Sequence, residues 1–325
     1  MILMVFSTAS FAGPRYEIID LGSLNGQGGR AASINNHGQI TGTSSFEPGD
    51  GRLYHHAFIW ENGVMTDIGT LPNGYSYHPI SINDSGQIIG HYYGFEGQFN
   101  SFMYRPDTGM IHFDYRTTSQ NNSNQMLCRS NLYETFLWDN STITSMPEGG
   151  LMINNVGQVA GLNSQGQAYV YDMNSDQMQY YKSSDSDGSL ITADINDLGQ
   201  VVGYSYGHER NHAFLYDGQN VIDLINGPDR YSNKANAINN LSQIVGSSEE
   251  QAYIWQDGTL DFLDDLLDDD SGWQLINAND INDHGQIVGY GIYEGQGRAF
   301  LLNPVPEPAT LSLVLLGGLL MQRRR

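Results

Sequence analysis

Gly203-Tyr204-Ser205-Tyr206-Gly207 has the Gly-x-Ser-x-Gly spacing of a hydrolase nucleophile elbow. Such an elbow works only where a strand, a sharp turn and a helix hold the serine hydroxyl clear of the sheet. Here Gly203 belongs to a repeated strand motif and no helical pattern follows, so Ser205 reads as a strand residue. The nine histidines are scattered, with no His-Glu-x-x-His to set two imidazoles on one helix face. His37 and His284 occupy a turn position that Ser85, Val156, Leu198 and Leu241 fill in sister segments, which predicts exposed turn residues. His55, His56 and His91 could meet at one face of the fold and hold a metal.

Two acidic runs could hold calcium, an ion that takes oxygen ligands from closely spaced carboxylates. One is Asp185 and Asp187 before Gly188; the other is Asp264, Asp265, Asp268 and Asp269, continued by Asp270. Neither has the spacing of an EF-hand loop, neither recurs, and a solvated acidic loop accounts for each as well. Trp60, Trp138 and Trp255 fall in strand patterns and read as core. Tyr75, Tyr77, Tyr92, Tyr93, Tyr204, Tyr206 and Trp273 fall in or near loops, where aromatic rings bind sugars or proteins.

The elements that must position these groups follow from composition and repetition. Charged residues are 15% of the 325, while Gly (38) and Tyr (20) are abundant, which suits short strands and tight turns. A net charge of −22 repels phosphate backbones, so nucleic acid is not an expected partner. The single cysteine, Cys128, excludes an internal disulfide.

The pattern Ile-Asn-x-x-Gly-Gln-(Ile/Val)-x-Gly begins at Ile34, Ile82, Ile153, Ile195, Ile238 and Ile281, with Ser242 in place of one turn glycine. The 71-residue gap after Ile82 hides a degraded copy, Gln120 to Cys128, with Asn124 at the turn glycine. Asn tolerates the left-handed region, so the copy is viable. Seven aromatic strand signals alternate with the seven copies, among them His56-Ala57-Phe58 and His212-Ala213-Phe214. Each unit reads as four short strands at the spacing of a propeller blade. The last unit stops at its third strand, near Leu302, and Tyr16 to Gly22 matches a missing fourth. Small residues (Ala31, Gly150, Thr192, Ala235, Ala278) recur three positions before the repeat Ile, as an innermost strand requires; Pro79 there needs an edge position. The expectation is an all-β, seven-bladed β-propeller of four-stranded antiparallel sheets over 13–304, its ring closed by the N-terminal strand. Asp194 and Asp280 would then lie near the central channel, where an enzyme built on this fold would place its acids.

The ends carry their own signals. Residues 1–12 read as the remnant of a signal peptide: Met1 to Ala9 are apolar and small, and Ser10-Phe11-Ala12 is a small-x-small pattern that places cleavage after Ala12; a first strand or a disordered end is the competing reading. At 305–325, Val305-Pro306-Glu307-Pro308 precedes an apolar run and then Arg323-Arg324-Arg325. The run spans about 20 Å as a helix, with flanking residues and arginines to extend it, and the basic end predicts a cytoplasmic side. This layout resembles the PEP-CTERM sorting signal of Gram-negative bacteria, which implies processing by an exosortase-type enzyme; an ordinary C-terminal anchor would give the same topology. The repeats resemble the HAF repeats of bacterial extracellular proteins, over roughly 15–303. That family implies an extracellular location and no settled activity.

Together these readings predict an exported cell-surface or matrix protein, membrane-anchored before processing. Its expected role is non-catalytic, binding polysaccharide or another protein, with no cofactor except possible calcium. The alternative is a propeller enzyme acting on glycans, as glycosidase or lyase, or a metal-dependent hydrolase.

Overall fold

The computed structural model describes residues 16–24, 27–47, 49, 51, 53–130, 134–147, 149–182, 189–206, 211–225, 232–268 and 271–305. Ala12, Asp185, Asp187, Asp269 and the tail from Pro306 to Arg325 lie outside them.

The strands form seven four-stranded antiparallel sheets; two of these, blades 1 and 2, touch through a single parallel pairing of His55 with Ser76. Blades 1 to 6 occupy 29–67, 74–113, 116–145, 150–181, 189–223 and 233–262. Blade 7 takes three strands from 273–304 and its fourth from the start of the chain. Strand Tyr16–Asp20 lies antiparallel to strand Gln296–Pro304, with Tyr16 opposite Pro304 and Asp20 opposite Phe300. The expected closure of the ring is therefore present. In blades 1 to 6 the strands follow chain order, from the inner strand to an outer edge; in blade 7 the N-terminal strand Tyr16–Asp20 supplies that outer edge.

The repeat residues explain the geometry. The turn position after each Ile-Asn has positive φ in all seven copies: Gly38, Gly86, Asn124, Gly157, Gly199, Ser242 and Gly285. Asn124 and Ser242 hold φ of 62° and 61°, so the degraded copies keep the turn without glycine. The second-strand glycine has a different cause. Every inner strand carries a bulge just before its repeat Ile, as at Ala31/Ser33 and Ala235/Ala237. The inner-strand carbonyl beside it presses on the neighbouring backbone: a Cβ on Gly42 would sit 2.1 Å from the Arg30 oxygen, and one on Gly246 2.0 Å from the Lys234 oxygen. Pro79 stands at such a bulge on the inner edge strand, opposite Gly90, where no ladder partner is lost.

The core is divided into seven layers, one between each pair of adjacent blades. Among the aromatic residues of the second repeat motif, Phe58, Phe102 and Phe300 are fully buried in these layers, and Tyr169 and Tyr253 are fully buried as well. Each such ring contributes roughly 1.5–3 kcal/mol by leaving water. Trp60 is buried, and Trp138 and Trp255 pack on the layers from the rim, as expected. Tyr77 and Tyr92, read from sequence as loop aromatics, are instead buried core, stacked at 5.4 Å. The inner strand of blade 2 runs Gly74–Ile82, longer than most of its counterparts, and draws them into the sheet.

Candidate ligand-binding face

Strand order gives the ring two unlike faces. The Ile-Asn turns join first to second strands on one face; the loops from second to third strands, and from blade to blade, lie on the other.

The turn face is built to hold the ring together. Asn35, Asn83, Asn121, Asn154, Asn196, Asn239 and Asn282 are all buried. The Nδ2 of each donates to the backbone carbonyl of the same Asn in the next blade, and Asn282 returns to Asn35, over 2.8–3.2 Å. A second closed circle joins the following residues: the backbone N–H of Asn36 donates to Asp84, and so on through Asn122, Asn155, Asp197, Asn240 and Asp283 back to Asn36. The carboxylates of Asp197 and Asp283 also accept from the Asn240 side chain, so turn residues that look free in sequence are tied up.

Asp194 and Asp280 do face the central channel, half-buried, with Ser33, Ser81 and Ser119 around a cavity of about 160 Å³. Burial pushes the Asp194 carboxyl up to about 7, opposed by the N–H groups of Ile238 and Ile195 and reinforced by the charge of Asp280. Burial likewise raises Asp280 to about 6 against N–H donors from Ile34 and Ile281 and the Ser33 hydroxyl. Both carboxylates serve as acceptors for inner-strand N–H groups, Asp194 for Ile238 at 2.9 Å and Asp280 for Ile34 at 2.9 Å.

The loop face carries the other chemistry. Four residues before the repeat Ile, or before Gln120 in blade 3, the inner strands carry Arg30, His78, Arg116 and Lys234. Arg30 lies 4.2 Å over the Tyr290 ring, Arg116 5.2 Å over Phe99 and Lys234 4.8 Å over Tyr204. Salt bridges among the described residues involve His56, His112, His212 and Arg298, and none reaches these three cations. A cavity of about 470 Å³ opens between blades 7, 1 and 2, lined by Arg30, Thr43, Ser45, His55, His78 and Tyr290. Beside it a chain of rings runs from Phe46 through Tyr54 and Tyr75 to Phe95. Phe95 is 55% exposed, Phe99 44% and Tyr93 38%, unusual for large rings gathered on one face.

The sequence-predicted residues separate on these faces. His55, His56 and His91 do not come together, because adjacent strand residues point to opposite sides of a sheet. The His56 Nδ1–H donates to the Asp67 carboxylate at 2.6 Å, while His55 meets Ser45 and the His78 ring, and His91 the Thr117 carbonyl. His212 and Arg298 approach Asp223 and Asp20 as His56 approaches Asp67. In these blades the first residue of the His-Ala-Phe position therefore anchors the fourth strand. Ser205 lies buried in strand Val201–Tyr206 with its hydroxyl donating to the His212 carbonyl at 3.5 Å, the setting of a structural serine. In the second acidic run, Asp264 caps the Leu275 N–H at 2.9 Å from a short 3-10 turn, Leu263–Leu266. Among the described residues no three His, Cys, Asp or Glu side chains gather as a metal group. Among the described residues, too, no helix is long and apolar enough to cross a membrane. Sequence reasoning did not single out Arg30, His78, Arg116 or Lys234; their shared register in the repeat was the available signal.

No family model matches the chain, and no curated protein does. Solved structures do. The β-propeller domain of the Trilobed protease from Pyrococcus furiosus, described as having an open velcro topology, is 12% identical with a TM-score of 0.56, over 85% of this chain and 95% of that one. U3-55K is 13% identical with a TM-score of 0.56, over 90% of this chain and 100% of its own. The WD40 repeats of RRP9 are 12% identical with a TM-score of 0.55, over 89% and 100%. At such identities the likeness shows the fold alone, and that fold is the β-propeller.

Proposed function

We propose that this chain is an exported surface or matrix protein whose propeller binds polysaccharide through its loop face, without catalysis. The observation that carries the reading is the cluster of exposed rings, Tyr93, Phe95 and Phe99, beside a polar cavity on that face. Flat aromatic rings next to hydroxyl and imidazole groups match a sugar's apolar ring face and polar edge. The turn face offers little to a ligand, since its carboxamides and carboxylates already bond to one another. An enzymatic reading would rest on Asp194 and Asp280, and each is engaged by backbone N–H groups of the inner strands.

Export and processing rest on the sequence: Ala12 as the cleavage point, then Val305-Pro306-Glu307-Pro308 and Arg323-Arg324-Arg325 as a signal for an exosortase-type enzyme. Retention of the full chain on immobilised polysaccharides tests the binding role. We expect retention by wild type and roughly tenfold weaker retention by Phe95→Ala, the loss of one stacking platform. Retention of no polysaccharide, or no effect at Phe95, would overturn the reading. The sorting role predicts that Glu307→Gln leaves the chain unprocessed at the membrane, and normal processing would contradict it.

A further inference from the structure

We propose that the loop face takes an acidic polysaccharide, one whose sugars carry carboxylates, along a band of basic groups from Arg30 in blade 1 to Arg116 in blade 3. The proposal rests on the reading of this face as the binding face and adds the charge class of the ligand.

The band is continuous. His55 lies within the field of Arg30 and its ring meets His78 at 5.5 Å. His91 lies within the fields of both His78 and Arg116, and its ring contacts Phe99 at 4.6 Å, beneath Arg116. Burial holds His55, His78 and His91 below the usual imidazole range, assisted in turn by Arg30, by His55, and by Arg116 with His78. No carboxylate contributes to any of these three shifts. In a chain with 14 Lys and Arg against 36 Asp and Glu, Arg30, His55, His78, His91 and Arg116 form a local run of basic groups, joined through the shared cavity and the ring contacts.

Each component suits a uronate polymer. A guanidinium presents a forked pair of donors that matches a carboxylate. Arg30 and Arg116 are exposed, so their donors are open to a ligand, while Tyr290 and Phe99 hold their planes in place. Uncharged imidazoles at neutral pH can donate to and accept from sugar hydroxyls. The overall charge of −22 opposes any polyanion at long range, but salt screens that repulsion beyond about 8 Å at physiological ionic strength. A single exposed ion pair is weak, so binding has to draw on several sugars engaged at once.

The test compares polygalacturonate, neutral dextran and a single-stranded DNA of matched charge as ligands for the full chain. We expect polygalacturonate to be retained in preference to both others and released as sodium chloride rises from about 50 to about 500 mM. Arg30→Gln with Arg116→Gln should weaken that retention by about tenfold or more, while Lys182→Gln, outside the band, leaves it unchanged. Equal retention of dextran, undiminished by the arginine changes, would overturn the charge class and leave the binding face standing. Equal retention of DNA would reduce the band to a general polyanion site and also overturn it. If no polysaccharide is held, the binding role falls with it. Should the double variant not fold, the wild-type salt response still decides, since salt-insensitive retention contradicts the proposal.

Discussion

Replacing Asp194 by Asn should stabilise the protein in alkaline solution and not in acid. In the folded ring the Asp194 carboxyl sits at about 7 against an ordinary 3.8, because burial disfavours the charged form more than the Ile238 and Ile195 N–H groups favour it. A folded-state value above the unfolded one means that ionisation costs stability. The cost is absent below about pH 4, grows as pH rises, and is complete above the folded value. At about 1.4 kcal/mol per tenfold change, the displacement amounts to at most about 4 kcal/mol at pH 9. Contact with the channel makes this an upper bound. Asn keeps one oxygen for one of the two N–H donors and presents an NH2 to the other, a loss of about 1 kcal/mol. The net expectation is a gain of roughly 1–3 kcal/mol at pH 9 and a loss of about 1 kcal/mol at about pH 3, where the carboxyl is protonated in both states. Urea unfolding at the two pH values measures both. A variant less stable than wild type at pH 9 would refute the reasoning, because it would mean that the charged carboxylate is welcome in the channel.

Three further outcomes follow from the same physics. Asn282→Ala removes donation to the Asn35 carbonyl and acceptance from the His284 and Gln286 N–H groups, all in a buried setting; chemical unfolding should show a loss of roughly 2–4 kcal/mol. Gly246→Ala would set a Cβ 2.0 Å from the Lys234 oxygen and 2.8 Å from the Tyr253 hydroxyl, and the melting temperature should fall with a loss of about 1–3 kcal/mol. His56→Ala should cost under about 1 kcal/mol, given side chains 23% and 39% exposed. The bond to Asp67 raises the His56 imidazole above its ordinary 6.5, so this contribution is complete below that value and disappears as pH rises through the raised one. Stability of the variant relative to wild type across pH 5 to 9 checks the sign.

Much of the architecture was legible because each blade repeats a local demand. A turn that needs positive φ names its residue, so Asn124 and Ser242 could be recognised as substitutes and the seventh copy recovered. The closing strand was legible because Tyr16 to Asp20 has the pattern of a fourth strand and the last unit lacks one. The candidate site was much less so. Each buried Asn bonds to a residue about one repeat away, as Asn35 does to Asn83, and a motif gives no hint of that partner. Asp194 and Asp280 were placed near the channel correctly, but their N–H partners in other blades were invisible. His55 and His56 were grouped by proximity in sequence, while strand alternation sends them to different neighbours. The basic band is assembled across three blades from single residues, and only the folded ring shows that Arg30, His55, His78, His91 and Arg116 adjoin.

Closure of the ring by strand Tyr16–Asp20 is the claim on which both faces depend, since without it blades 7 and 1 have no fixed relation and the cavity at Arg30 and Tyr290 dissolves. Glu17 and Asn303 face each other across that junction. In a Glu17→Cys, Asn303→Cys variant, mild oxidation should consume both new thiols within one chain and raise the melting temperature, while buried Cys128 stays free. Thiols that remain unpaired under oxidation, or a cross-link that forms only between chains, would show that the two ends do not meet.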